Sequence, residues 1–427
     1  MNTKERALYV LHAAMLLAGA VAGLLAQGPN AALSGLLELQ LSPARLLNDF
    51  TIIAGPGAAL INAALVAAVG LVIVRLVDVR LSGPTIAAIW TMFGFGLFGK
   101  TLLNIIAIFV GVGISARLAG KRYPDYVLMA LFGTALGPLV TALAFESGLP
   151  ASGAILVAVG AGLVVGVLLP PLAISLLRLH QGFNLYNVGL TCGFIGVFAA
   201  AVLVASGTEF PVAGAWNTEP SLLLQLLVPV AALIFMIVGF AMGGGKAFKD
   251  LIRIMQLPGQ LPSDFMTMVS VEGALVNAGI MGILTWGYVV LVGGPLNGPV
   301  LGGIFTAIGF ATFGKHAGNG LPILAGVVLA TLLFGKGLTT PGPLLAALFA
   351  LTLSPLAGEF GWPVGIIAGI IHLTIVEQTG SWHLGVNLYN NGFAGGLTAT
   401  LLVAIIEWWR ASHDTVSFGE RRRGKRS

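Results

Sequence analysis

The sequence predicts an all-α polytopic membrane protein made of two inverted repeats of about seven membrane segments each, some of them short or re-entrant. Three observations predict it. Of the 427 residues, 57% are hydrophobic and 9% charged, with a mean hydropathy of +0.97, whereas ordinary soluble domains carry about 25% charged residues. The apolar residues fall into runs on the scale of a hydrocarbon core of about 30 Å. The chain also contains itself: GPTIAAIWTMFGFGLFGKTLLN at 83–104 returns 215 positions later as GPVLGGIFTAIGFATFGKHAGN at 298–319. The 60 glycines agree with this class, because helices packed in lipid rely on small residues for close backbone approach.

In chain order, the first apolar run covers 7–26 and follows Lys4 and Arg6. Lacking a clear cleavage site, it reads as a first spanning helix and not as a signal peptide. A mixed segment at 36–49 precedes runs at 57–77, 84–98, 102–119, 126–143, 152–177 and 185–205. The loop at 207–220 holds no Lys or Arg, the next run covers 222–242, and 243–256 is a short basic amphipathic connector. From there the first-half pattern repeats. The expected organisation is a first membrane repeat at 1–207, a second at 208–410 and a basic cytoplasmic tail at 411–427. No polar stretch is long enough to fold as a separate soluble domain. Cys192 stands alone, so neither a disulfide framework nor a cysteine metal site is expected, and no cofactor, bound metal or nucleic-acid partner is foreseen.

The duplication can be followed residue by residue. At the offset of 215, Asp49-Phe50 meets Asp264-Phe265, Asn62 meets Asn277, and Gly111 meets Gly326. The offset becomes 217 at Pro138 and Pro355 and 213 at Glu146 and Glu359. At 203, Gly162 and Gly166 meet Gly365 and Gly369, and HQGFNLYN at 180–187 meets HLGVNLYN at 383–390. Such a match marks a fused duplication. Seven segments is an odd number, which turns the second half upside down about a pseudo-two-fold axis in the membrane plane. The positive residues agree with both termini inside: Arg75, Arg80, Arg117, Lys121, Arg122, Arg178, Lys246, Lys249 and Arg253 all fall in loops expected inside. The outer loops hold little beyond Arg45 and Lys336. Were 84–119 a re-entrant hairpin instead, the parity would stand. The expected location is a bacterial inner membrane, with Trp408-Trp409-Arg410 as an interfacial anchor and the tail against anionic lipid.

Two motifs carry the candidate chemistry. Gly94 to Thr101 satisfies the phosphate-loop expression G-x-x-x-x-G-K-[ST], yet such a loop requires a preceding strand, and the second copy reads Gly-Lys-His. The match is a decoy. A lysine at the end of a helix often snorkels to the interface. The run at 84–98, however, reaches only about 22 Å at 1.5 Å per residue, which leaves Lys100 and Lys315 inside the membrane, where an ionisable group is functional by default. Asn104 and Asn319 lie one turn beyond the lysines and face the same way. In the second motif, His180, Asn184, Tyr186 and Asn187, with His383, Asn387, Tyr389 and Asn390, gather at helix starts that favour anions and polar ligands. The alternative is that Asn187 and Asn390 simply cap their helices. His316, Glu272, His372 and Glu377 have no equivalent in the first half, and a coupled transporter wants a titratable group in its pathway. His316 and Glu377 are therefore the proton-coupling candidates, with an interfacial role as the alternative for Glu377.

The duplicated FGK and HxGxNLYN motifs, with six or seven segments per half, make the chain resemble a bacterial membrane-protein family catalogued as a domain of unknown function that occurs as tandem copies. That resemblance spans nearly the whole chain and implies no activity. A weaker likeness, of architecture only, is to urea transporters, whose threonine and proline-rich signature is missing here. The function expected from the residues is a secondary transporter for a small anionic solute, a carboxylate or an oxyanion, bound between the halves near the membrane midplane. The alternatives are a channel for a small neutral solute such as urea, or an intramembrane enzyme. H-E-x-x-H, G-x-S-x-G and Asp-rich diphosphate motifs are all absent, so an enzyme is not the expectation. The expected partners are the solute and membrane lipid, with a homo-oligomer as a further option.

Overall fold

A computed structural model describes residues 3–207 and 214–423 as α-helices joined by short turns and 3-10 segments, with no β-strand among the described residues. The first half contains α1 (Thr3–Gln27), α2 (Pro29–Leu41), α3 (Phe50–Ile53), α4 (Pro56–Leu76), α5 (Gly83–Gly96), α6 (Leu102–Leu118), α7 (Val127–Gly133), α8 (Gly137–Glu146), α9 (Ala151–His180) and α10 (Asn187–Ala205). The second contains α11 (Leu222–Gly243), α12 (Gly245–Ile254), α13 (Phe265–Met268), α14 (Val271–Leu291), α15 (Gly298–Phe310), α16 (Ala317–Leu333), α17 (Pro341–Phe349), α18 (Ser354–Phe360), α19 (Trp362–Trp382) and α20 (Asn390–Arg423). The two halves correspond α-helix for α-helix. The chain is a multi-pass membrane protein: among the described residues, ten stretches are long and apolar enough to cross a bilayer, five in each half.

All the predicted apolar segments form helices, with one difference. The segment near 126–143 is not a single helix but α7 and α8, separated by a 3-10 turn at Thr134–Leu136, and the second half repeats the break at Ala350–Leu353. Gly137-Pro138 and Ser354-Pro355 restart the helix after each break, since proline fits only a first turn, where its missing N–H costs nothing. The remaining apolar helices, α5, α6, α15 and α16, are short, at 14, 17, 13 and 17 residues. The helix α20 runs unbroken past residue 410 to Arg423. Residues 208–213, where the second repeat is expected to start, and 424–427 of the basic tail lie outside the described residues, as do the tail's side chains from 414 onward.

Glycine positions these elements. The paired GxxxG of α9 and α19 lies where they cross α6 and α16: a Cβ on Gly166 would sit 2.8 Å from the Gly111 Cα, and one on Gly369 2.9 Å from the Gly326 Cα. The halves meet through α5 and α15. Gly94 faces the Gly302 carbonyl, Gly309 faces Ala87, Gly83 abuts Thr312 and Phe313, and Gly298 abuts Leu97. These contacts run in opposite directions along the two helices, so equivalent helices pack antiparallel over their whole length. Trp90 and its equivalent Phe305 stack at the middle, with ring centroids 5.4 Å apart. The helices α10 and α20 cross at Gly189 and Gly392, where an added Cβ would lie 2.9 Å from the opposing Cα.

Candidate functional site

The backbone leaves helical geometry between α5 and α6, and Gly99 there takes φ +89°, a left-handed conformation that costs other residues energy. The free carbonyls at this break are met from α4: Asn62 donates to Gly96 O at 2.7 Å and Lys100 O at 2.8 Å. Asn277 does the same from α14, to Ala311 O and Lys315 O, both at 2.7 Å. Buried carbonyls need such partners. The predicted site residues Asn104 and Asn319 are used in the same way. Asn104 accepts from Thr101 N–H at 3.0 Å and donates to Gly99 O at 2.9 Å, and Asn319 accepts from His316 N–H at 2.9 Å and donates to Gly314 O at 3.0 Å. They close capping boxes, and their amides turn into the backbone. His316 is the partner in one of those boxes: its Nδ1 accepts from Asn319 N–H at 3.3 Å, and its Nε2 lies 2.9 Å from Leu257 O.

Each break aims a lysine at the other half. Both Lys100 and Lys315 are fully buried. Lys100 Nζ donates to Thr134 Oγ1 and to Tyr389 Oη, each at 2.7 Å, and the Thr134 hydroxyl in turn donates to Leu131 O. Lys315 Nζ donates to Tyr186 Oη. Aromatic faces complete both environments, with Lys315 Nζ 4.3 Å from the Tyr186 centroid and Lys100 Nζ 4.8 Å from that of Tyr389, within cation–π range. Among the described residues, no carboxylate forms an ion pair with either ammonium group. The environments differ at one position: Thr134 of the first half corresponds to Leu351 in the second.

The HxGxNLYN motif divides its labour. His180 and Asn187 are paired at 3.0 Å and Asn187 donates to Ala173 O, while His383 and Asn390 are paired at 3.1 Å and Asn390 donates to Val376 O. These four residues tie the start of one helix to the end of the one before it. The N-cap of α10 is Tyr186, not Asn187, because the asparagine amide is drawn back to α9. Asn184 and Asn387 instead accept the N–H of the tyrosine two residues on, at 3.2 and 3.0 Å, and so set the angle at which each tyrosine leaves the turn.

The tyrosines line a cavity of about 390 Å³ between the halves. Much of its wall consists of equivalent pairs: Thr91 with Thr306, Phe95 with Phe310, Phe132 with Phe349, and Tyr186 with Tyr389. Neither lysine lines the cavity, so each acts on it through a phenol. The cavity is symmetric at its centre and lopsided at its ends, since Pro84, Leu261, Pro262 and Ser263 line it and their counterparts do not. Two of those counterparts, Leu46 and Leu47, line a second hollow, which also contains Asn390 and the ion pair between Lys336 and Glu377. The coupling candidate Glu377 is therefore at this second hollow, apart from the lysines.

Two residues that sequence reading saw only as repeat markers hold the halves together. Asp49 caps α3 and accepts from Gly298 N–H at 3.2 Å, at the start of α15, and from Asn217 N–H at 3.1 Å. Asp264 caps α13 and accepts from Gly83 N–H at 3.2 Å, at the start of α5. A carboxylate at a helix N-terminus is favoured by the exposed N–H groups and the dipole, and here each half supplies it to the other. The sequence signal was Asp-Phe at the same place in both copies.

The family described as "Protein of unknown function (DUF1576)" matches residues 28–205 and 244–408, one region in each half. No curated protein and no solved structure matches the chain.

Proposed function

Since the chain belongs to the family described as Protein of unknown function (DUF1576), whose description assigns no activity, we propose from the site that it is a secondary transporter for a small anionic solute. The solute binds in the cavity between the two halves, and the protein carries out no covalent chemistry. One observation carries the reading: two buried lysines without a carboxylate partner each reach a tyrosine on the wall of one cavity. Burying an uncompensated ammonium group is expensive, and a bound anion offsets that cost. In the ammonium form a lysine only donates, so each phenol accepts from it and keeps its own proton to donate into the cavity.

The mechanism that fits is alternating access. Five candidate spans per half among the described residues is an odd number, and α5 packing antiparallel to α15 supports halves that are inverted in the membrane. In this arrangement α5–α6 and α15–α16 are hairpins that enter from opposite faces, and both termini lie in the cytoplasm of a bacterial inner membrane. The cavity reaching Leu261–Ser263 but not Leu46–Asn48 supports a state open to one side, which favours a carrier over a channel. The test is uptake into proteoliposomes with Lys315→Gln and Lys100→Gln. We expect each to reduce anion uptake at least ~10-fold, in line with the loss of a hydrogen bond to a charged group. Unchanged anion uptake in both variants would sink the proposal.

A further inference from the structure

We propose that the cavity takes an organic carboxylate with an apolar body, its carboxylate received by the Tyr186 hydroxyl that Lys315 backs. This rests on the anion reading above and narrows it to one class of solute. No charged side chain lines the cavity, and Phe95, Phe132, Phe310, Phe313 and Phe349 form much of its wall. An inorganic oxyanion needs donors on several sides, and phenyl rings supply none. A carboxylate on an aromatic or branched body places its charge at one polar point and fills the remaining volume with carbon.

The polar point follows from the difference between the two lysines. Lys100 divides its protons between Thr134 and Tyr389. Lys315, equally buried, has Tyr186 as its one hydrogen-bond partner among the described residues, because Leu351 stands where the first copy has threonine. An ammonium group has three protons to donate, so the Lys315 end is the one left short of acceptors. It also lies toward the open end of the cavity, where Leu185 touches Gly314 and Leu261 touches Gly182. The charged head thus sits on the entry side, and the apolar body lies deeper, against Phe95, Phe349 and Leu388.

The experiment is a ligand-dependent thermal shift, followed by titration calorimetry, on the full-length protein in detergent with phenylacetate, phenylacetamide and sodium nitrate as probes. Phenylacetate should raise the melting temperature saturably, and the amide and nitrate should not. Tyr186→Phe should weaken phenylacetate binding by ~10- to 100-fold, the loss expected for a hydrogen bond to a charged group, and Tyr389→Phe should weaken it less. Should Tyr186→Phe fail to fold, Met129→Trp serves instead: it fills the apolar part of the cavity and should abolish phenylacetate binding. Nitrate binding without phenylacetate binding overturns this inference and leaves the anion reading standing. Equal binding of the amide and the acid overturns both. A larger effect of Tyr389→Phe than of Tyr186→Phe overturns the placement of the head group, and no shift with phenylacetate overturns the solute class.

Discussion

Lys100 and Lys315 show how little a residue type decides by itself. Their Nζ atoms contact hydroxyls and rings contributed by the opposite half, and no ion pair neutralises either among the described residues. Replacing Tyr186 by Phe leaves Lys315 without its oxygen, whereas Tyr389→Phe leaves Lys100 with Thr134. The first variant should therefore melt at the lower temperature in detergent, and equal melting would show the two environments to be equivalent. The asparagines beneath the lysines carry a separate prediction. Asn62→Ala removes the partner of two buried carbonyls at once, and each unsatisfied group costs about 1–3 kcal/mol. Differential scanning fluorimetry should show a comparable loss for Asn277→Ala, which strands the equivalent carbonyls. The sequence marked Asn62 and Asn277 as a pair but not their task, because a carbonyl in need of a donor has no signal in a list of residues.

Among elements, α5 and α15 form the joint at which the two halves meet, and glycine makes it. A Cβ on Gly94 would lie 2.7 Å from the Gly302 carbonyl oxygen, and a backbone neighbour can move only if the helices separate. Gly94→Ala should cost about 1–3 kcal/mol, the range for overpacking a tight interface, read as a fall in melting temperature. Gly153→Ala is the control, since nothing lies within 4 Å of an added Cβ there, and helix propensity favours it by up to about 1 kcal/mol. The short length of α5 was legible in the sequence, as was the GxxxG pairing of α9. The breaks inside α7–α8 and α17–α18 were not, since Gly137-Pro138 reads equally as the first turn of a helix and as a kink within one.

For the molecule as a whole, the prediction concerns sidedness. Arg122 and Gly337 occupy equivalent loops, 215 positions apart. In inverted halves, Arg122→Cys should react with an impermeant maleimide only from the cytoplasmic face and Gly337→Cys only from the outside, in whole cells against inverted vesicles. Labelling of both from one face would mean that the halves run parallel. Cys192, the one native cysteine, is buried and does not interfere. The two ends of the cavity differ at this scale too: Asp49 accepts from Asn217, whose carbonyl accepts from Asn297, whereas Ser263, beside the equivalent Asp264, stands on the cavity wall.

The sequence by itself determined the membrane class, the duplication and the two motifs, because apolar length, composition and repetition are properties of order along the chain. It also picked out the lysines and tyrosines, together with the asparagines and histidines of the two motifs, as polar groups repeated in both copies. Only the tertiary structure decided their division of labour. The histidines and most of the asparagines bond one another or the backbone, the tyrosines turn toward the cavity, and each lysine sits behind a tyrosine from the other half. That arrangement depends on contacts such as Lys100 with Tyr389, 289 residues apart. Contacts of that range exist only once α5 and α15 have packed, because they are set by where helices cross and not by which residues follow one another.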